Sequence, residues 1–187
     1  MTEINNEGLI INGWLQGAVQ CPSPNFNARP ENMDISLLVI HNISLPPGEF
    51  GGGYVQQFFQ NQLDSSAHPY FVSIAALQVS AHLFIERDGK VTQFVPFDAR
   101  AWHAGNSCFA GVADCNNYSI GIELEGTDEL PYSDAQYTAL EKVTRQLMQT
   151  YPKLTPARIT GHEHIATGRK TDPGPAFDWP RYRRALL

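Results

Sequence analysis

The chain has 187 residues, of which 42% are hydrophobic, and its formal net charge is −6. This length suits one domain with a substantial core and is short for two. A negative charge without any block of like charges argues against nucleic acid or an anionic membrane as a partner, and no apolar run is long enough to cross a bilayer. We therefore predict a single domain over residues 1–187, and nothing in the pattern indicates an obligate protein partner.

The N-terminal segment and the cysteines both bear on the compartment. Residues 1–7 are acidic and lack the basic start and apolar core of a secretory signal peptide. The three cysteines, Cys21, Cys108 and Cys115, are an odd number for a disulfide framework, and none lies in a CxxC motif. Cys108 and Cys115 could pair or bind a metal, but free thiols are the better interpretation. We expect a cytoplasmic protein.

The first third of the chain is predicted to alternate between loops and short regular elements. Prolines and asparagines predict mostly extended loop for residues 1–34, and an apolar run then predicts a buried strand over residues 36–41. Prolines and glycines mark a loop at residues 46–53. The spacing of apolar residues over 54–63 predicts a short helix. The strand thus ends at His41, shortly before a long loop.

The middle and the end of the chain supply the remaining predicted strands. Residues 81–87 and 90–96 are typical of two strands that an Asp-Gly turn joins into a hairpin. A further strand is predicted over residues 119–125, and a short last one over residues 158–161. These segments are enough for one sheet.

The clearest predicted helix begins after Ser133. Ser133 and Gln136 form a capping-box pattern, and Pro152 ends the helix. Apolar residues recur along one side of it, at Leu140, Val143, Leu147, Met148 and Tyr151. Together the elements predict an α/β fold in which a central mixed β-sheet is flanked by helices.

His41 is the first candidate site residue. It ends the buried strand on the same face as Leu37 and Val39, because side chains alternate along a strand. The carboxyl end of a strand is where open α/β sheets tend to bind ligands. The alternative is a histidine whose ring is satisfied by hydrogen bonds at a strand end, and His41 taken alone favours that alternative.

Glu123 and Glu125 share one face of the predicted strand over residues 119–125, opposite a fully apolar face. In a solvated edge strand this is ordinary alternation. In a central strand it would point the carboxylates into a cleft, where one of them could act as a general base and Gly121 would leave room for a substrate. Alternation alone does not choose between the two glutamates.

A segment near the C-terminus carries an unusual number of reactive side chains. It holds His162, His164, Lys170 and Asp172 on a stretch interrupted by glycine and proline, which predicts a loop rather than a helix. The spacing is not the His-Glu-x-x-His pattern of metalloprotease helices, and either histidine could be a ligand. His41, His162 and Asp172 would give Zn²⁺ three protein ligands and leave a fourth position open for water, which is typical of a catalytic site.

Three other histidines have different surroundings. His82 lies in an apolar strand, which favours a core histidine, and His68 precedes a proline in a predicted loop, which favours a solvated one. His103 follows Trp102, so that an aromatic platform adjoins an imidazole. Substrate contact and structural packing are equally supported for His103.

Five stretches of the sequence are similar to the motifs of one family. They include Val-Ile-His-Asn, Trp-His-Ala-Gly, Ile-Glu-Leu-Glu-Gly and Lys-Thr-Asp-Pro-Gly-Pro, and they occupy residues 39–50, 79–82, 102–105, 119–126 and 160–175. In this order, over nearly the whole chain, they closely resemble the zinc amidases, a family that includes phage T7-type lysozymes and peptidoglycan recognition proteins. The likeness is greatest to the cytoplasmic members that act in bacterial cell-wall recycling, and it implies a fold like theirs.

The resemblance implies one Zn²⁺ ion bound by His41, His162 and Asp172. His164 does not match a ligand position of the family, so the resemblance removes it from the candidate set. The complete ligand set is what separates the family's enzymes from its recognition proteins, some of which bind peptidoglycan without cutting it.

The resemblance also assigns catalytic and substrate-binding positions. It implies that Glu123, rather than Glu125, is the catalytic glutamate and that Lys170 stabilises the transition state. Two positions that carry arginine in close relatives are Gln78 and Asp114 here. If those arginines hold substrate carboxylates in the relatives, this protein uses other groups, for which the nearby Arg169 is the candidate, or binds the substrate more weakly. The predicted substrate contacts are Asn42 and Trp102, which match positions near the bound muropeptide in the family, together with His103 and Arg169.

The activity implied is hydrolysis of the amide bond between (anhydro-)N-acetylmuramic acid and L-alanine in cell-wall muropeptides, in peptidoglycan recycling. The expected partner is an anhydromuropeptide substrate, with no nucleic acid and no membrane. Three alternatives are a peptidoglycan-binding module, a lytic amidase that acts on the intact wall, and a structural zinc domain, which would use four cysteine or histidine ligands. The complete predicted ligand set argues against the binding module, and its three members argue against the structural domain. A lytic amidase would be favoured by an export signal or wall-anchoring repeats, and neither is seen in the sequence, so we expect the recycling enzyme.

Overall fold

The computed structural model describes residues 9–187, and within this range the chain forms twelve strands and five α-helices. The helices are α1 (Tyr54–Phe59), α2 (Phe71–Ile74), α3 (Asp134–Thr150), α4 (His162–Ile165) and α5 (Trp179–Ala185), and single 3₁₀ turns occupy Cys115–Asn117 and Pro156–Arg158. The strands are β1 (Ile10–Ile11), β2 (Trp14–Leu15), β3 (Val19–Gln20), β4 (Phe26–Ala28), β5 (Leu37–Ile43), β6 (Leu83–Ile85), β7 (Val91–Gln93), β8 (Ala99–Ala101), β9 (Cys108–Phe109), β10 (Val112–Ala113), β11 (Ser119–Glu125) and β12 (Ile159–Gly161).

The central sheet is mixed, as predicted. Among the described residues it has six strands in the order β12–β5–β11–β6–β7–β3. The four strands from β12 to β6 run parallel to one another, β6 and β7 form the predicted antiparallel hairpin, and β3 is parallel to β7. The parallel half brings the carboxyl ends of β12, β5 and β11 to one edge of the sheet, where ligands bind in open α/β folds.

The two faces of this sheet differ in what they bury. Leu38 and Ile40 of β5, with the isoleucines of β11, pack into the main core with α3 and α5. Each such side chain contributes about 1.5–3 kcal/mol when fully buried. Leu37 and Val39 point to the other face, into a smaller cluster with Tyr118 of the turn before β11. The second face is the one on which alternation places the candidate site residues.

The long helix α3 begins where the capping box predicts. The Ser133 hydroxyl accepts a hydrogen bond of 3.1 Å from the Gln136 backbone N–H, and the Gln136 side chain accepts one of 3.1 Å from the Ser133 N–H. Gln136 also donates to the carbonyl oxygens of Ile85 and Glu125. The helix start is therefore tied directly to the carboxyl ends of β6 and β11.

Several predicted elements are shorter or different in the structure. The N-terminal region is less irregular than predicted, because β1 to β4 occur within residues 9–34, while the predictions for residues 1–7 lie outside the described residues. The hairpin strands contract to three residues each. Helix α1 stops at Phe59, because Asn61 adopts a left-handed conformation with a φ of 58°.

The segment after β12 also differs from its prediction. His162 begins a one-turn helix, α4, instead of a loop. The pattern missed it because four residues are too few to establish a helical period among glycines and prolines. The three cysteines are free thiols, as expected. In the described part of the chain no helix is both long and apolar enough to cross a membrane.

Candidate metal centre

The parallel register of three strands places the candidate residues side by side. His41 in β5 lies directly opposite Glu123 in β11. Gly161, the last residue of β12, lies opposite Ile40. His162 follows Gly161 and therefore leaves the sheet beside His41. Residues separated by more than 100 positions thus meet at one edge of the sheet through strand pairing.

The segment after β12 folds back to bring Asp172 to the same place. The Glu163 backbone N–H donates to the Asp172 carbonyl oxygen at 2.9 Å, which joins the two ends of the segment. A Cβ atom on Gly161 would lie 2.8 Å from Cδ of Pro173. The absence of a side chain at Gly161 is therefore required for the returning segment to pack against the strand end.

The structure brings the three predicted metal ligands together. His41 Nδ1 lies 3.0 Å from His162 Nδ1 and 3.1 Å from Asp172 Oδ2, and His162 Nδ1 lies 3.0 Å from Asp172 Oδ2. Tetrahedral Zn²⁺ with bonds of about 2.0–2.1 Å separates its ligand atoms by about 3.3 Å. These three atoms, which we call the donor centre, have the donor types and the spacing of a three-ligand cation site.

Hydrogen bonds and burial set the protonation of the donor centre. His162 Nε2 lies 3.1 Å from the Ala104 carbonyl oxygen. Since a carbonyl only accepts, Nε2 carries a proton, and in the neutral ring Nδ1 then keeps a free lone pair. Burial lowers the pKa of His41 to about 4, although its hydrogen bond to Asp172 opposes the shift. Both rings are therefore suited to bind a metal in their neutral form.

Asp172 supplies the negative charge of the donor centre. Burial alone would raise the pKa of this carboxyl group, but the imidazole nitrogens of His162 and His41, at 3.0 and 3.1 Å from its Oδ2, favour the ionised form and hold the pKa below its usual range. The carboxylate is therefore ionised at neutral pH. An anionic oxygen between two imidazole nitrogens is a suitable set of ligands for a divalent cation such as Zn²⁺.

Glu123 lies beside the donor centre with an unsatisfied oxygen. Its Oε1 is 4.0 Å from His41 Nδ1, and its Oε2 is buried without a hydrogen-bond partner among the described residues. Burial raises the pKa of this carboxyl well above its usual value, the negative charge of Asp172 adds to the rise, and Lys170 opposes it. A buried acid with a raised pKa and a free oxygen is typical of a general base or acid.

Glu125 has a different role from Glu123, although both were candidates by alternation. It is 5% exposed, and its two oxygens accept backbone hydrogen bonds from Gly51 at 2.6 Å and Arg87 at 3.0 Å. The carboxylate therefore anchors the loop over residues 46–53 and the end of β6 to the sheet. With both oxygens engaged, Glu125 is not available to a substrate.

A cleft of about 850 Å³ opens over the donor centre. Lys170 lies exposed among its lining residues, within electrostatic reach of Glu123 and His41. The apolar part of the lining comes from Leu45, Phe58, Ile74, Leu77 and Val79. The polar part includes Thr127, Asp128, Glu129 and Thr171. Such a volume is sufficient for a ligand with both apolar and polar groups.

All four predicted substrate contacts line this cleft, and the side chains of Asn42, Trp102 and Arg169 are held there by hydrogen bonds to the protein. The Asn42 amide donates to Asp128 Oδ1 at 2.8 Å, and the Trp102 indole N–H donates to Asn27 Oδ1 at 2.9 Å. The Arg169 guanidinium donates to the carbonyl oxygens of Ala104 and Asn106, both at 2.7 Å. Arg169 thus links two loops by hydrogen bonds. Because its guanidinium is engaged in this way, Arg169 is less available to bind a substrate carboxylate in place of the missing arginines.

His103 has partners that the sequence did not indicate. Its Nδ1 lies 2.9 Å from His41 Nε2, and its Nε2 lies 3.0 Å from Ser119 Oγ. Burial holds the pKa of this imidazole well below its usual value, with smaller contributions from His41 and His82. Because protein atoms engage both ring nitrogens, the geometry does not favour the predicted substrate contact.

The remaining predicted positions lie apart from the donor centre. The His164 side chain is 61% exposed and lies next to Glu163, with its ring near Trp179, so it is not part of the donor set. Gln78 and Asp114 are both exposed, and neither lines the cleft. His82 is fully buried, as predicted for a core histidine, and His68 is half-buried rather than solvated.

Arg29 is an important residue that the sequence did not reveal. Its guanidinium is largely buried and donates hydrogen bonds of 2.8–3.3 Å to the carbonyl oxygens of Phe97, Asn116, Asn117 and Ser119. Burial lowers the pKa of Arg29 to about 10. The sequence around Arg29 did not indicate this role, because the hydrogen-bond acceptors of its guanidinium are backbone carbonyl oxygens of residues 97–119, far along the chain.

Comparisons with known proteins show which family the chain resembles. Residues 31–175 match the model of the family described as N-acetylmuramoyl-L-alanine amidase. The chain is 58% identical over 171 residues to the 1,6-anhydro-N-acetylmuramyl-L-alanine amidase AmpD of Salmonella typhimurium strain SL1344, covering 91% of each protein. It is 57% identical over 175 residues to AmpD of Escherichia coli, covering 94% of this chain and 95% of that protein.

Solved structures of amidases are also similar to this chain. A crystal structure of a selenomethionine derivative of AmpD superposes with a TM-score of 0.93 at 55% identity, covering 96% of this chain and 99% of that one. The amidase AmiD of Escherichia coli, in complex with the substrate anhydro-N-acetylmuramic acid-L-Ala-D-γ-Glu-L-Lys, superposes with a TM-score of 0.61 at 26% identity. That match covers 85% of this chain and 61% of the AmiD chain.

Proposed function

The chain belongs to the N-acetylmuramoyl-L-alanine amidase family, and on this premise we propose that it is a zinc-dependent amidase of peptidoglycan recycling. It hydrolyses the amide bond between the lactyl group of anhydro-N-acetylmuramic acid and L-alanine. Residues 1–187 act as one amidase domain with one Zn²⁺ ion. The reaction takes place in the cytoplasm, a location that fractionation of cells would test.

One observation carries this proposal. The donor centre and the free oxygen of Glu123 share one cleft, in a chain that is 58% identical to an AmpD amidase. A binding module needs no buried acid with an unsatisfied oxygen, since such a group lowers the stability of the fold and a catalytic role explains why it is kept. A structural metal site would be closed by a fourth protein ligand.

His41, His162 and Asp172 would hold the metal through their Nδ1, Nδ1 and Oδ2 atoms. A bound Zn²⁺ would polarise the scissile carbonyl and lower the pKa of water from about 15.7 toward about 7. The tautomer of His162 is already fixed for this purpose by Ala104, and Asp172 is already ionised. The protein therefore needs little rearrangement to accept the ion.

Glu123 is the proposed general base and acid. Its raised pKa allows the carboxylate to accept a proton from the attacking water near neutral pH and to return it to the leaving amine of L-alanine. The oxygen that would carry the proton, Oε2, has no partner within residues 9–187 that competes for it. Such proton transfer contributes about 10²–10⁴-fold to the rate.

Lys170 is proposed to stabilise the negative charge that develops on the substrate oxygen. Its ammonium group is the lining cation that lies within electrostatic reach of Glu123 and His41. Removal of one such group costs about 10²–10³-fold in rate. Asn42 and Trp102 would contact the muropeptide from the lining of the cleft, with their side chains oriented by Asp128 and Asn27.

The substrate class is supported by two features. The cleft is large enough for a sugar linked to a short peptide, and its lining has both apolar and polar parts. The neighbour AmiD is in complex with an anhydromuramoyl peptide of this type.

A side-by-side assay tests the function. The protein is incubated with a purified anhydromuropeptide and with intact sacculi, each with and without a chelator, and the released peptide is quantified by mass spectrometry. We expect release from the anhydromuropeptide that the chelator abolishes and added zinc restores. Release from sacculi alone would overturn the recycling assignment, and full activity in the chelator would overturn the zinc dependence.

A further inference from the structure

His103 connects the donor centre to the start of strand β11. Its imidazole lies between His41 and Ser119, with contacts of 2.9 Å and 3.0 Å at its two nitrogens. The rings of His41 and His103 meet edge to face, at an interplanar angle of 89° and a centroid separation of 5.0 Å. The partner of His41 on the side away from the donor atoms is therefore another imidazole.

Metal binding would fix the positions of the protons in the row of hydrogen bonds from His41 through His103 to Ser119. If His41 binds a metal through Nδ1, its proton must be on Nε2, which then donates to His103 Nδ1. His103 must in turn carry its proton on Nε2 and donate to Ser119 Oγ. The other histidine ligand, His162, is oriented differently, because its Nε2 donates to a backbone carbonyl.

The position of His103 is fixed from several sides. The backbone N–H groups of His103 and Ala104 both donate to Asn116 Oδ1, at 3.1 Å and 2.8 Å. Gly121 lies against the ring, and a Cβ atom there would be 2.4 Å from His103 Cγ. No side chain larger than hydrogen fits at position 121 without displacing the imidazole.

We propose that His103 is a positioning residue of the metal centre, which fixes the tautomer and the orientation of His41 and is itself held by Ser119. This inference deepens the proposed function and rests on its zinc site. His103 does not touch the reacting atoms. Loss of such an outer partner of a metal ligand is expected to weaken metal affinity about 10–100-fold.

The test compares zinc affinity in four variants with that of the wild-type protein. His103→Phe removes the acceptor and keeps a ring, His103→Asn retains an oxygen near the place of Nδ1, and Ser119→Ala removes only the far hydrogen bond. The control is His164→Asn, which removes an imidazole from α4 outside the donor set. Zinc dissociation constants are measured by competition with a chelator, and the absorption spectrum of the Co²⁺-loaded protein reports the geometry of the ligands.

We expect His103→Phe to bind zinc about 10–100-fold more weakly than wild type and to shift the cobalt spectrum. His103→Asn and Ser119→Ala should show smaller losses, and His164→Asn should match the wild type. Zinc affinities within twofold of wild type and unchanged cobalt spectra in His103→Phe and Ser119→Ala would overturn the inference. If circular dichroism shows that His103→Phe does not fold, His103→Asn and Ser119→Ala decide by the same criteria. A wild-type protein that binds no zinc would instead overturn the proposed function.

Discussion

Two buried polar regions lie on opposite sides of His103, and they differ in whether their polar groups find partners within the protein. In the first, which we call the anchor cluster, Arg29 and His82 are satisfied by the backbone. Arg29 donates to four carbonyl oxygens. His82 Nδ1 accepts from the Gly121 N–H, so its Nε2 carries the proton and donates to the Ala99 carbonyl oxygen.

The second region is the donor centre with Glu123. There three atoms with lone pairs converge within about 3 Å of one another, and in the described part of the chain a Glu123 carboxylate oxygen finds no hydrogen-bond partner. Burial of a polar group without a partner costs about 1–3 kcal/mol. Burial of polar groups therefore does not by itself identify a functional site. The anchor cluster satisfies its polar groups within the protein, whereas the donor centre leaves lone pairs and a carboxylate oxygen available to a ligand.

The largest expected effect follows from removing one member of the donor centre. Alanine at His41, His162 or Asp172 should reduce bound zinc and amidase activity to background, because two remaining ligands cannot hold the ion. The free energy of unfolding of the metal-free protein should change much less. Bound zinc is measured by plasma mass spectrometry, amidase activity by the release of peptide, and the free energy of unfolding by urea denaturation. Activity at the wild-type level in any zinc-free variant would refute the metal assignment.

The next largest effect separates the two glutamates of β11. Glu123→Gln should retain zinc and lose about 10²–10⁴-fold in kcat, because it removes the proton acceptor. The matched control, Glu125→Gln, should keep near-normal kcat and lose about 1 kcal/mol or more of stability, since it weakens the hydrogen bonds to Gly51 and Arg87. Near-normal turnover by Glu123→Gln would refute the assignment of Glu123 as the general base.

Arg29→Met tests the anchor cluster. The substitution leaves buried carbonyl oxygens without donors, and we expect a loss of about 3 kcal/mol or more in the free energy of unfolding. Arg145→Met, on the exposed side of α3, should cost about 0.5 kcal/mol or less. Urea unfolding of the metal-free proteins measures both values. Equal stabilities of the two variants would contradict the role of Arg29 as an anchor.

The smallest effect is a pH dependence that belongs to His82. Burial lowers its pKa from 6.5 to about 3, with a smaller contribution from the charge of Arg29. Between pH 6.5 and pH 3 the imidazole of His82 binds a proton in the unfolded chain but not in the folded protein. The free energy of unfolding therefore keeps its full value, as far as His82 is concerned, above about pH 6.5 and decreases as the pH falls toward 3. The slope from one such group is at most about 1.4 kcal/mol per pH unit.

The comparison with His82→Asn isolates this slope, because the amide oxygen can still accept from Gly121 but does not titrate. Stability of the metal-free proteins is measured by urea unfolding at several pH values. The free energy of unfolding of the variant should fall less steeply with decreasing pH than that of the wild type. Parallel slopes would mean that His82 is not held neutral by the fold.

Local patterns predicted the local structure well. The capping box at Ser133 and the Asp-Gly hairpin are confirmed, and β11 has the predicted bounds, because each depends on residues close together in sequence. The short strands of the N-terminal region and the one-turn helix at His162 were missed. Such elements are stabilised by pairing and packing with segments distant in sequence, and the local pattern of apolar residues does not reveal these contacts.

The site was only partly predictable for a related physical reason. Taken alone, His41 favoured a structural histidine, and its role depends on a register with segments more than 80 residues away. The choice of Glu123 over Glu125 followed from the family resemblance and stays a prediction, which the backbone hydrogen bonds to both oxygens of Glu125 support. The partners of His103 and Arg29 lie in other segments, so no sequence spacing could reveal them.

The pairing of Glu123 with His41 also limits how this protein can change. If one residue were inserted between Tyr118 and Glu123, strand alternation would turn every following side chain of β11 to the opposite face. Ile122 and Leu124 would then enter the cleft, and a carboxylate would enter the main core. Viable length changes in this strand therefore come in pairs of residues, and a designer who wishes to reshape the cleft should leave β11 intact and vary the loops that surround it.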